Sequence, residues 1–443
     1  MSERIAITGA GIISAIGAGK EETVRSLLAG RSGIGPLRHL QTIHDFPCGE
    51  VAMSNDELRT ILGIPSDKTI ARTTLLGIYA VHEALRQASS ETQNLNQVLG
   101  DKTNHGQSDS VILNSFLDLS SQEKMLKQVQ HDLQSDSSMN EYSQKLALVS
   151  GTTVAGMDVT EEHFLEAQRT DEYNDLLRTH TCGSSTRDIA DYFGIFDSLT
   201  TTSTACSSAA NSIILAARLI KSGRADVVVA GGSESLSKYH LNGFNSLMIL
   251  DQEPCRPFDA GRAGLNLGEG AGFLVMESEA HASERGARIL GYLDGYGNSC
   301  DAYHQTASSP EGDGAFRAMK QAIDMAGLKP ENIDYINAHG TGTINNDESE
   351  SHALHRVFGD DVPPVSSTKS FTGHATSASG GIEAVICLLA MQNGFIPANL
   401  RFSKPFKGGI IPVANGRTAT LNHVLCNSFA FGGNDTSLLL SRI

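Results

Sequence analysis

Two stretches of this chain repeat one pattern, and the repetition narrows the fold more than any other feature. Ser203-Thr204-Ala205-Cys206-Ser207-Ser208 runs into a segment where Ala209, Ala210, Ile213, Ile214, Ala216, Ala217, Leu219 and Ile220 recur at three- and four-residue spacing up to Gly223. Gly373-His374-Ala375-Thr376-Ser377-Ala378-Ser379-Gly380 runs in the same way into an apolar segment, residues 382–391. Each spacing predicts a buried helix opened by a turn of small residues. Short apolar strands alternate with helical stretches, most clearly at residues 5–8, 147–150, 227–230, 273–276 and 335–338, which predicts α/β layering. A second cycle opens near Arg288-Ile289-Leu290-Gly291-Tyr292. The chain reads as a degenerate duplication, residues 1–286 and 287–443, in which two similar lobes bring their helix N-termini towards one shared site.

Cys206 stands where the first of these helices begins. Unpaired N–H groups and the positive end of the helix dipole favour thiolate over thiol there, so its pKa is expected below the free value of about 8.5. A small buried cysteine is the other reading. In the second half, Asn337-Ala338-His339-Gly340-Thr341-Gly342-Thr343 follows a strand, and Ser367-Thr368-Lys369-Ser370-Phe371-Thr372-Gly373-His374 precedes a helix. Both histidines fall in glycine-flanked turns at element ends, where neutral imidazoles can donate to a carbonyl or enolate oxygen. Lys369 and Glu383 add opposite charges nearby, which a structural ion pair anchoring the loops would also explain.

Composition removes other classes. With 443 residues, 40% hydrophobic and 19% charged, the chain is long enough for a large core or two fused ones. No stretch reaches transmembrane length and the N-terminus has no signal pattern, so a cytoplasmic location is expected. The seven cysteines show neither metal-ligand spacing nor a disulfide framework, so no metal is expected and the thiols should be reduced. A net charge of −16 disfavours nucleic acid and shows no polybasic membrane patch. Gly9-Ala10-Gly11-Ile12-Ile13-Ser14 and Gly17-Ala18-Gly19-Lys20-Glu21 mimic nucleotide motifs but lack required residues, and both read as tight turns. Residues 89–144, rich in Ser, Gln, Asn and Asp, read as a polar insertion.

Taken together, the Cys206, His339 and Lys369–His374 motifs and Asn427-Ser428-Phe429-Ala430-Phe431-Gly432-Gly433 resemble the elongating β-ketoacyl-acyl carrier protein synthases. That resemblance implies a thiolase-like fold with duplicated halves in five α/β/α/β/α layers. It implies an acyltransferase without cofactor, in which Cys206 takes an acyl group from a carrier protein and the thioester condenses with decarboxylated malonyl-carrier protein. On the same basis His339 and His374 stabilise the enolate, and Lys369 and Glu383 support them. The N–H groups of Cys206 and Phe431 form an oxyanion hole, and Thr341 and Thr343 bind pantetheine. Phe429, Ala430 and Phe431 form a gate. The implied partners are acyl carrier protein and a second subunit, identical or not. Lys68 and Arg72 are candidates for a basic docking patch.

Two departures bear on substrate. Arg262-Ala263-Gly264-Leu265 replaces Arg-Asp-Gly-Phe, which puts support of that loop in doubt, and Ala430 replaces a hinge glycine. With the polar insertion, these suggest a synthase of a specialised pathway, such as a polyene or polyketide route. A thiolase would need a second cysteine near the C-terminal glycines, where Ala430 and Phe431 stand. A catalytically silent chain-length partner usually lacks the nucleophile, and an unrelated cysteine hydrolase finds no motif to activate water.

Overall fold

A computed structural model describes residues 3–90, 145–170 and 177–443. The expected insertion lies, from residue 91 onward, outside the described residues.

The first half supplies β1 (Ile5–Ser14), β2 (Gly17–Ala18), β3 (Leu146–Gly151), β4 (Ser198–Thr202), β5 (Val227–Glu234) and β6 (Gly270–Ser278). The second supplies β7 (Gly291–Cys300), β8 (Tyr335–Asn337), β9 (Val365–Ser366), β10 (Phe395–Ile396), β11 (Arg417–Thr418), β12 (His423–Phe429) and β13 (Asn434–Ser441). One path of neighbours runs β4-β3-β5-β6-β1-β7-β13-β12-β8-β9, with β2 folded back on β1 and β10 paired with β11 alone.

Read from its centre outward, that path is the same sequence of pairings twice. β1 and β7 each pair antiparallel with the next strand, β6 or β13. Those pair antiparallel with β5 or β12, and the last two steps on each side are parallel. The halves join where Ile5, Ala6 and Ile7 face Leu293, Tyr292 and Gly291. β3 and β5 are buried along their whole length, and their continuous apolar runs suit strands covered on both faces.

Helices supply the remaining three layers. Arg72–Ser90 packs on β1 and β6, and Asp313–Met325 packs on β7 and β13, each on the outer side. Ser208–Lys221 and Ser379–Asn393 pack on each other between the half-sheets. Residues Ser379 to Met391 are all buried, as a helix covered on every side must be. The five-layered duplicated α/β fold follows.

One local expectation is corrected. Gly9 to Ser14 is not a turn but the continuation of β1, paired with β6 past a bulge after Ile7. Gly9 and Gly11 let the strand press on the Ala84 and Ala80 carbonyls of the Arg72–Ser90 helix, so these glycines serve close packing.

Candidate active site

The two repeated turns meet at a cavity of about 330 Å³. Cys206, His339, His374, Thr341, Thr343, Phe429, Ala430 and Phe431 all line it. Lys369 and Glu383 do not; they stand behind His339, fully buried.

Cys206 precedes its helix by two residues and is buried. Ala205 has φ 49°, a left-handed conformation that alanine adopts at a cost of roughly 1–2 kcal/mol. Its carbonyl accepts Ser208 Oγ at 2.7 Å, which holds the turn. The backbone N–H groups of Phe431 and of Cys206 itself bear on the sulfur. Asn434 Oδ1 ties this turn to the Phe431 loop, accepting from Ser207 Oγ at 2.8 Å and Asn211 Nδ2 at 2.7 Å. The expected lowering of the thiol pKa is not found. Burial pushes the thiol up to about 11, against the pull of the Lys369 ammonium and the two N–H groups.

The histidine rings meet edge to face, with centroids 5.3 Å apart. Burial, then Lys369, hold both well below the ordinary histidine range, so both are neutral. Lys369 Nζ lies 3.2 Å from His339 Nδ1 and 2.6 Å from Glu383 Oε1. An ammonium only donates, so His339 Nδ1 must accept and the ring proton sits on Nε2. His374 Nδ1 lies 2.9 Å from Ser379 Oγ, a hydroxyl that can play either role. Burial pushes Glu383 up to about 7 despite its bond to Lys369.

Several side chains that hold this site carried no signal in the sequence reading. Glu350 Oε1 accepts the His339 N–H at 2.9 Å and Oε2 the Gly340 N–H at 2.8 Å. Asp347 accepts the N–H groups of Phe258 at 2.7 Å and Gly342 at 3.2 Å. Both lie on the Ile344–Phe358 helix that follows the His339 turn, so acids at its fourth and seventh positions were the available cue. Phe244 stacks on Phe431, with centroids 5.8 Å apart and rings 20° from parallel.

Three further expectations change. Arg72 is no surface residue: its guanidinium pairs with buried Glu269 at 2.7 Å, while Lys68 is exposed. The Arg262 loop is well supported, since Arg262 lies 3.6 Å from Asp347 and 3.9 Å over the Phe406 ring. Ala430 is extended, at φ −122° and ψ 153°, so alanine carries no strain there. Left-handed angles fall instead at Gly432 and Gly433.

Among the described residues no group of acids, histidines and cysteines is arranged to hold a metal ion, and no helix is long and apolar enough to cross a membrane.

The sequence matches the N-terminal domain of beta-ketoacyl synthase over residues 111–282 and its C-terminal domain over residues 290–403. Nodulation protein E of Rhizobium meliloti (strain 1021) is 31% identical over 457 aligned residues, covering the whole of both chains. The 3-oxoacyl-[acyl-carrier-protein] synthase 2 of the same strain is 43% identical over 252 residues, 54% of this chain and 59% of that one. The solved structure of the ishigamide ketosynthase/chain length factor aligns over the whole of both chains with TM-score 0.80 and 30% identity.

Proposed function

Because this chain belongs to the β-ketoacyl synthase family, we propose that it joins an acyl group held on Cys206 to a malonyl unit by decarboxylative Claisen condensation, both delivered by acyl carrier protein. The single observation that carries the reading is the convergence of the Cys206 sulfur, the Phe431 N–H and two neutral histidines on one cavity.

Acylation comes first. The Cys206 thiol gives up its proton and attacks the incoming thioester, and the oxyanion that forms is held by the N–H groups of Cys206 and Phe431. Burial holds the thiol up at about 11, and Lys369 favours the thiolate when the proton leaves. The carrier thiol departs with that proton. Malonyl thioester then loses carbon dioxide, and its two bonding electrons pass into an enolate. His339 Nε2–H donates to that oxygen, joined by His374, and neutral donors suit an enolate that must go on to react. The enolate carbon attacks the acyl thioester, and collapse of the second oxyanion expels the Cys206 sulfur.

Thr341 and Thr343, whose hydroxyls lie 2.9 Å apart on the cavity wall, would receive the pantetheine arm. The functional chain would be a dimer with a like or related subunit, in the cytoplasm, with its halves meeting near residue 287. Whole-length similarity to nodulation protein E and to the ishigamide ketosynthase/chain length factor favours a specialised acyl substrate over a housekeeping one. The retained nucleophile and histidines argue against a silent chain-length partner.

Incubation with carrier proteins bearing different acyl chains, followed by intact mass, tests the reading. An adduct that survives Cys206→Ala would place the nucleophile elsewhere.

A further inference from the structure

Beneath the Phe431 loop lie a buried acid and a half-buried one that the reaction above leaves unused. Asp435, near the start of β13, is 3% exposed, and its carboxyl accepts the backbone N–H of Ala430, one residue before Phe431. Asp301, just past β7, accepts the N–H of Tyr303 at 3.1 Å and of Ser309 at 2.9 Å. Its own N–H donates to the Gly433 carbonyl at 3.1 Å. A methyl group on Gly314 would collide with Asp435 Oδ2 and crowd Asp301, and one on Gly433 would collide with Asp301 Oδ1. Only main chain therefore separates the two carboxyls from the loop and the helix beside it.

Two carboxyls this close disfavour joint ionisation, and the more buried one keeps its proton more readily. Asp435 is the buried one and has a single fixed donor, so the proton rests there. Other charged groups also act on Asp435. Glu350 on the Ile344–Phe358 helix adds negative charge, and Arg317 on the Asp313–Met325 helix offsets part of it. Asp313, which opens that helix, is paired with Arg356 at 2.8 Å. On the β7 side, Cys300 Sγ donates to the Gly432 carbonyl at 3.6 Å.

We propose that protonated Asp435 is a positioning residue for the oxyanion-binding loop, holding the Phe431 N–H against Cys206, and that loss of its proton releases that loop. This rests on Cys206 being the acylated residue. A neutral carboxyl accepts the Ala430 N–H through its carbonyl oxygen without facing Asp301 as a second anion. Once the proton passes to solvent, repulsion acts across Gly433, whose carbonyl is tied to Asp301, and the chain from Ala430 to Gly433 shifts. Burial, then Asp301, push the Asp435 carboxyl up to about 8, so the change falls within reach of ordinary buffers.

The test compares the full-length protein with Asp435→Asn, which keeps a neutral acceptor, using octanoyl-pantetheine as acyl donor and intact mass to follow Cys206. The ratio of unsubstituted to Asp435→Asn acylation rates should fall about tenfold from pH 7 to pH 9, as a group titrating near 8 requires. Arg317→Gln, an exposed change, should move that fall to higher pH. Unfolding gives a second readout. A carboxyl whose folded pKa lies above its unfolded value lowers stability as pH rises through that interval, so the Tm advantage of Asp435→Asn should grow from pH 5 to pH 9. A constant rate ratio on an acylated Cys206, or a Tm difference independent of pH, overturns the proposal. Absence of any adduct on Cys206 would instead remove the assigned nucleophile, and the Tm series would still decide the protonation of Asp435.

Discussion

His339 and His374 occupy the same depth, meet edge to face and are both neutral, yet they are held in different ways. His339 is fixed by charge: Lys369 leaves its Nδ1 no role but acceptor, and Glu383 holds Lys369. His374 is fixed by a hydroxyl, Ser379 Oγ, on the first residue of the Ser379–Asn393 helix. One tautomer is dictated and the other is negotiable. Two donors aimed at one oxygen need the same protonation state, so the contrast marks His339 as the more rigidly prepared of the two.

Removing the charged support is the strongest way to break this comparison. Lys369→Met leaves Glu383 buried without its cation, and loss of one partner of a buried pair typically costs about 3–5 kcal/mol. Urea unfolding should register that loss. Glu383→Gln in the Lys369→Met background should recover part of it, because the uncompensated acid is then gone. No recovery would mean that the ion pair does little for stability.

Next come the rings. His339→Ala and His374→Ala should each slow malonyl decarboxylation by about 100- to 1,000-fold, the usual scale for losing one oxyanion donor. Self-acylation of Cys206 should change far less, since the Phe431 N–H remains. Equal losses in both half-reactions would show that the histidines hold the site together rather than act on the enolate.

The difference between the two histidines also marks where sequence stopped being informative. Both turns, the nucleophile and Lys369 stand in short contiguous motifs, and Glu383 lies in the apolar segment that follows the second. Period and glycine placement then put those motifs at element ends. The duplication was legible for the same reason, because small-residue turns and apolar helices are local patterns. What was not legible depends on distant segments meeting. Arg72 looked like a surface cation because nothing near it in sequence announces Glu269, 197 positions away. The Cys206 thiol looked activated because the helix dipole is a local effect, whereas the burial that outweighs it is assembled from both halves. Gly9 to Ser14 looked like a turn because the helix that needs those glycines lies some 70 residues on.

A smaller effect comes from protons. Both histidines have folded pKa values well below their unfolded ones, so the unfolded chain takes up protons that the native site refuses. Stability is then complete above the unfolded value near 6.5 and falls as pH drops below it, by about 1.4 kcal/mol per histidine per pH unit. Tm measured from pH 7.5 to 5 should decline, and His374→Gln should flatten the decline by about the share of one histidine. A profile unchanged by His374→Gln would mean that this ring accepts a proton in the folded state.

The finest probe is Ser379, which tests whether the negotiable tautomer matters. If His374 donates to the enolate through Nε2–H, its Nδ1 must accept, and Ser379 must be the donor at 2.9 Å. Ser379→Ala removes that donor without touching a charge. A neutral hydrogen bond of this kind is worth about 1 kcal/mol, so decarboxylation should slow about fivefold, with stability reduced by a similar energy. That is far below the effect of Lys369→Met, because an unanchored imidazole still visits the right tautomer part of the time. Ser379→Thr keeps the hydroxyl and should restore the rate if its added methyl fits the buried helix start. Decarboxylation unaffected by Ser379→Ala would mean that His374 needs no partner to choose its proton, and the two histidines would then differ in packing but not in preparation.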